Sequence, residues 1–194
     1  TMCRNAAKLY YPIKQSIMSA LPLVDEYIVA LGNGDEDDCT AQLISEINSP
    51  KIKIVRTVWD LEKFPNGMVH AQQTDFAKKH CMGDWLIYLQ ADEVLHEQDF
   101  EAVKTACSIY LEHDRVEGFL LNYHHFWGDY DHEVKGHSWY DREVRIIRNK
   151  PDIHSWQSAQ SFRVIQDFKG VDFRQKNNSR KLNVKSIDAH VYHY

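Results

Sequence analysis

The chain has 194 residues, with 28 acids against 23 Lys and Arg and a formal net charge of −5. Its length suits one domain with a sizeable core, and its 43% hydrophobic and 26% charged content is that of an ordinary globular protein. The negative balance excludes a broad electrostatic grip on nucleic acid, no apolar run reaches the ~20 residues that span a bilayer, and only local contact with a membrane surface stays open.

In chain order, residues 10–20 read as a helix and Tyr27 to Leu31 as an apolar, β-prone strand stopped by Gly32-Asn33-Gly34. Leu43, Ile44 and Ile47 mark a helical face, with Asp37, Asp38 and Thr40 as N-cap candidates. KIKIVRTVW (51–59) alternates as a strand, Pro65-Asn66-Gly67 is a turn, and 68–80 reads as a helix with Val69, Phe76 and Ala77 facing the core. Trp85 to Leu89 is a wholly apolar run, the kind buried on both faces of a parallel sheet. Residues 98–111 form a helix striped by Phe100, Val103, Cys107 and Tyr110. Strands follow at 118–126 and 143–149, separated by a loop rich in Gly, Asp, His and aromatics, and 186–194 reads as a last strand. Helix and strand alternate through the first 111 residues, so the expected fold class is α/β, doubly wound, in one domain over residues 1–194. None of the four cysteines forms a CxxC pair, which points to reduced thiols and a cytoplasmic compartment.

In open α/β sheets ligands sit at the carboxyl ends of the strands. Two such ends carry acids here: GNGDEDD after the strand at 27–31, and QADE after the run at 85–89. Hard oxygen ligands there suit Mg²⁺ or Mn²⁺, which would neutralise a substrate diphosphate and stabilise it on departure. The plainer reading is helix capping for Asp37 and Asp38 and solvation for Asp92 and Glu93.

CRNAAK and VDEYIVALGNGDEDDCT, then NGMVHAQQTDFAKKHCMGDWLIYLQADEVLHE, WYDREVRIIRN, SAQSF and IDAHVYHY together resemble bacterial family 2 glycosyltransferases of the GT-A fold. The resemblance implies a Rossmann-like three-layer sandwich with a mostly parallel central sheet. It also implies transfer of a sugar from a UDP- or GDP-sugar to a saccharide acceptor, assisted by Mn²⁺ or Mg²⁺ and proceeding with inversion. Carried over residue by residue, it puts Arg4, Asn5, Gly32, Asn33, Asp37, Asp38, Gln90, Ala91 and Asp92 at the nucleotide-sugar, and Asp92, Glu93 and His193 at the metal. Gln90 stands where the family's metal motif begins with an acid. Only Thr1 to Cys3 precede Arg4-Asn5, and the chain stops at VYHY, so shortening at both ends relative to the family is expected.

His190 and His193 at i and i+3 of a strand point to opposite faces, so the two do not act together as a metal pair; the resemblance, in which a late His joins the metal, makes His193 the candidate. The same alternation separates His124 from His125; these, His132 and His137 read as packed or solvated. Arg142, Arg145 or Arg148 is a candidate diphosphate clamp or a surface ion-pair former. Asp129, Asp131, Glu133 and Glu143 are the candidate general bases for an acceptor hydroxyl, among which the sequence does not choose, and Trp127, Tyr130, Trp139 and Tyr140 suit stacking on a sugar or packing within the loop. Two other readings compete: a nucleotide-sugar-binding module with weak or lost catalysis, and a sugar nucleotidyltransferase, against which the absence of glycine from CRNAAK counts.

Overall fold

The computed structural model describes residues 1–134 and 139–194. Strand β1 (Met2–Cys3) leads to helix α1 (Ile13–Ala20), strand β2 (Tyr27–Gly32), helix α2 (Thr40–Ser45) and strand β3 (Ile52–Thr57). Helix α3 (Met68–Lys78), strands β4 (Trp85–Ile87) and β5 (Glu93–Leu95), and helix α4 (Phe100–Ile109) follow. The rest is strand: β6 (Gly118–His125), β7 (Arg142–Arg148), β8 (Ile153–Trp156), β9 (Ser161–Ile165), β10 (Ser179–Lys181) and β11 (Val184–His193). No helix among the described residues is long and apolar enough to cross a membrane.

The α/β class holds, but the mostly parallel central sheet does not. The strands β1-β2-β3 form a parallel sheet. The larger sheet, in the order β4-β7-β6-β11-β5, is mixed, with β6 and β11 its parallel pair and the other neighbours antiparallel. A third sheet, β8-β9-β10, is antiparallel. The reason is connection chemistry. Parallel neighbours need a crossover, usually a helix, whereas loops return a strand antiparallel. Helices separate β1, β2, β3 and β4 from one another; none lies between β4 and β5, and none occurs among the described residues after α4.

The β4 strand differs from its expectation accordingly. It ends at Ile87, its side chains are half-buried, and it pairs antiparallel with β7 rather than lying between parallel neighbours. Tyr88 and Leu89 are buried, but they lead out of the ladder, with the Tyr88 N–H donating to the Arg145 carbonyl at 2.8 Å. That exit turns Gln90, Ala91 and Asp92 towards the cleft described below. Helix α1 braces the turn from beneath. Ile13, Ile17 and Ala20 are buried along its inner face, and the Ser16 hydroxyl donates to the Gln90 carbonyl at 3.0 Å.

The centre of the large sheet holds an ion pair. Arg145 and Glu93 have no exposed side-chain surface. The guanidinium grips the carboxylate twice, Nη2 to Oε1 at 2.7 Å and Nε to Oε2 at 3.0 Å. Tyr123 Oη donates to Oε1 at 2.8 Å and the Gln90 N–H to Oε2 at 3.0 Å. The guanidinium lies 5.4 Å and 5.3 Å from the Tyr88 and Tyr123 ring centres. Burial alone would push the Glu93 carboxyl up; the Arg145 charge and these donors outweigh it and hold it below its ordinary value. Arg148 is also buried, and it donates to the carbonyls of Tyr110, Leu111, His113 and Val116 around the end of α4. Of the three arginines only Arg142 is exposed, so neither Arg145 nor Arg148 is free to clamp a diphosphate.

Removing one partner of the pair leaves a buried uncompensated charge. Glu93→Gln and Arg145→Met should each cost about 3–5 kcal/mol in urea unfolding, and the double variant less than the sum. The folded carboxyl is held low, so its contribution is complete above its ordinary value of 4.5 and is lost as pH falls through the lowered value. Stability should therefore fall more on acidification for the wild type than for Glu93→Gln.

Candidate functional site

Three segments converge at the carboxyl ends of β1, β2 and β4. The first is the exit of β1 together with the loop after β2. Arg4 Nε donates to the Asn33 carbonyl at 3.0 Å. Asn5 sits at φ 55°, in the left-handed region that Asn tolerates, and its Oδ1 accepts the Asp35 N–H at 2.8 Å. Lys8 bridges Asp35 at 2.8 Å and Asp37 at 2.7 Å, and these hydrogen bonds hold its ammonium well above its ordinary value. Asp38 accepts the Thr40 hydroxyl at 2.7 Å, and that oxygen accepts the Ala7 N–H at 2.9 Å. The acids here are consumed in shaping the loop. Helix α2 begins at Thr40 after Cys39, with no side-chain cap bond from the expected Asp37 or Asp38.

The second segment floors a small cleft of about 120 Å³ lined by Met2, Arg4, Tyr11, Trp59, His70 and the Gln90–Asp92 turn, among others. Gly32 is there because nothing larger fits: a Cβ would lie 2.5 Å from Trp59 Nε1. That indole N–H is buried and has no partner among the described residues, so it is a donor held ready at the cleft wall. His70 sits edge-on to Trp59, with ring centres 5.4 Å apart. Burial pushes its imidazole down, against the opposing pull of Asp92 and a bond to the Ser158 carbonyl. A larger hollow of about 570 Å³ opens elsewhere, at the amino ends of β2 and β4 beside Thr1, Tyr27 and Trp85.

The third segment is the turn ending in Asp92, faced by β11. His193 stands opposite both Glu93 on β5 and His125 on β6. Its Nε2 lies 3.6 Å from Asp92 Oδ2, and its Nδ1 lies 2.9 Å from His125 Nδ1. His125 Nε2 is 2.8 Å from the Tyr140 carbonyl, and burial pushes that imidazole down, towards its neutral form. A carbonyl only accepts, so the neutral ring places its proton on Nε2 and its lone pair on Nδ1. His193 must then donate from Nδ1, which turns its Nε2 towards Asp92. Asp92 Oδ1 is buried without a hydrogen-bond partner among the described residues. Asp92 thus offers one buried, unpartnered oxygen and turns the other to His193 Nε2, a carboxylate and an imidazole side by side of the kind that can hold a cation. No cluster of three or more metal-ligating side chains occurs among the described residues, so a cation here would take its remaining ligands from substrate oxygens and water, the habit of Mg²⁺-type sites.

Comparison with solved structures places this fold. Over 99% of its length the chain superposes on 35% of S. aureus TarS, with TM-score 0.61 at 17% identity. It matches TarS 1–349 over 99% of this chain and 58% of that one, with TM-score 0.57 at 17% identity. It also matches TarS 1–349 in complex with UDP-GlcNAc over 100% of this chain and 57% of that one, with TM-score 0.54 at 16% identity. At such identities the likeness is one of fold, and the chain spans between about a third and three fifths of those chains. No protein-family model matches the sequence, and the search of curated proteins returns no match.

The structure gathers Arg4, Gln90, Ala91 and Asp92 around one cleft, with Gly32 against its Trp59 wall and Asn5, Asn33, Asp37 and Asp38 in the loop at its edge. It does not offer Glu93 to a metal, since Arg145, Tyr123 and the Gln90 N–H occupy its oxygens. Asp129 accepts from the Asp131 and His132 backbone and from the His132 ring; Asp131 is exposed beside it. Glu143 is half-buried, and burial pushes its carboxyl up against the pull of Arg145. His190 is held by Asp99 and His124 by Glu133; His137 lies outside the described residues. Sequence reasoning missed Trp59, His70 and the role of His125. The alternation that ruled out a His124–His125 chelate is the property that aims His125 inward at His193. Gly32→Ala should displace Trp59, lower stability by about 1–3 kcal/mol and shift the tryptophan emission maximum.

Proposed function

We propose that this chain is a GT-A-type glycosyltransferase domain that takes a UDP- or GDP-sugar with Mn²⁺ or Mg²⁺ and passes the sugar to a saccharide hydroxyl with inversion. The observation that carries this reading is Asp92 at the cleft, with one buried oxygen unpartnered among the described residues and the other 3.6 Å from His193 Nε2. The fold adds support, because TarS is a glycosyltransferase and one matched structure of it holds UDP-GlcNAc. Asp92 and His193 would hold the cation, which supplies Lewis-acid stabilisation to the departing diphosphate.

The chain's own groups divide the remaining work. The Trp59 indole N–H and the Arg4–Asn33 edge line the place for the nucleotide. Glu143 is the preferred general base. Its raised carboxyl lies nearer the working pH than that of Asp129, which His132 holds low. Trp127 and Tyr130 expose most of their surface, and they connect to the site through Trp127–Trp139–His193 and Tyr130–Tyr194 ring contacts. Tyr194 in turn donates its N–H to the Asp92 carbonyl. These rings form a wall suited to an acceptor sugar. The second reading, a binding module, draws on the neutral Gln90 and the two-ligand site; hydrolysis of the donor in the presence of Mn²⁺ separates the two.

In thermal-shift titrations a UDP- or GDP-sugar should raise Tm only with Mn²⁺. EDTA or Asp92→Ala should abolish the shift. His125→Ala, which removes the group fixing the His193 tautomer, should weaken Mn²⁺ about ten- to hundredfold. Absence of any Mn²⁺-dependent nucleotide shift in the wild type would end this reading. With a transfer assay in hand, Glu143→Gln should lower kcat by about 10²–10⁴ while donor affinity holds.

A further inference from the structure

Two turns meet at this site, and two successive peptide carbonyls carry the junction. The Ala159 carbonyl accepts from Gln90 Nε2 at 3.2 Å, and the Gln160 carbonyl from Arg145 Nη1 at 2.9 Å. These carbonyls belong to the turn joining β8 to β9, whose backbone is strained. Gln157 and Ala159 sit at φ 58° and 62°, where non-glycine residues are uncommon, and Ala159 is fully buried. Such conformations persist only where the surroundings over-determine them.

Gln90 is fixed on three sides. Its N–H goes to Glu93, its carbonyl to the Ser16 hydroxyl and its side-chain amide to Ala159. We infer that Gln90 is a positioning residue: its amide docks the Gln90–Asp92 turn onto the β8–β9 turn, and so aims Asp92 at His193. The chemistry calls for an amide. A carboxylate has no proton to give a carbonyl oxygen, and it would set negative charge against that oxygen. An acid at position 90 would therefore loosen the junction, even as it added charge near the cation.

The inference rests on the function proposed above, and its test keeps the two apart. Gln90→Glu exchanges the donor for a charge; Gln90→Met removes the donor without adding one. In the ligand-free protein, amide hydrogen exchange in residues 157–161 should quicken in both variants while exchange in β2 is unchanged. Mn²⁺ affinity, measured by calorimetry at saturating UDP, should fall about five- to tenfold in both, the size expected for loss of one hydrogen bond. Wild-type exchange rates in both variants would overturn the docking role. Tighter Mn²⁺ binding by Gln90→Glu with transfer retained would overturn the positioning role. A wild type that binds no nucleotide removes the functional reading instead, and the exchange arm still decides whether Gln90 holds the turn.

Discussion

The arrangement depends on the buried pair of Arg145 and Glu93. Taking two charges out of water costs several kcal/mol per ion, and only close geometry with every lone pair and proton matched offsets it. Glu93 accepts from three residues, and Arg145 spends a further N–H on the Gln160 carbonyl. The result is a joint: β5 to β7 across the large sheet, the β8–β9 turn through Gln160, and the Gln90 turn through its own N–H. Because misalignment would expose an unpaired charge to a dry interior, the pair penalises alternative placements of these segments. Its value to the site is geometric precision more than net stability.

The same joint explains why two adjacent acids behave oppositely. Glu93 faces into the sheet and is saturated with donors. Asp92 faces the cleft and keeps one oxygen unpartnered. A similar division runs through the charged residues nearby. The acids after β2 are answered by Lys8, Arg4 and Thr40, and Arg148 closes the end of α4. At the cleft, by contrast, Asp92 Oδ1 and the Trp59 indole N–H have no hydrogen-bond partner among the described residues.

The parts of this legible in sequence are those governed by local rules. The run at 27–31 and its Gly-Asn-Gly stop gave β2 because a fully buried strand must be apolar throughout, and a chain that must pass close to Trp59 needs glycine. Strand alternation separated His193 from His190, and the structure sends them to Asp92 and Asp99 respectively. The illegible parts are long-range. Arg145 looks like any strand arginine until its partner, 52 positions away, is known. The strands β8 and β9 interleave His154, Ser155 and Arg163 with apolar residues, and their short runs carry little periodic signal. Tyr88 is buried against Ile147, Ile153 and Phe162 of β7, β8 and β9, and Leu89 in the cluster with α1 and β6, not within a parallel sheet, so composition named their burial but mistook its cause.

The last strand has a consequence in time as well as in space. β11 is inserted between β6 and β5, so the sheet cannot close until residues 184–193 arrive. Asp92 and His193 stand roughly a hundred residues apart in sequence, and contacts that distant form late, after shorter loops have closed. Folding can thus proceed through β1-β2-β3 and its helices while the cation site does not yet exist. Until β11 docks, the facing edges of β5 and β6 are open to pairing with other strands, which makes that delay the interval of greatest exposure to misassembly.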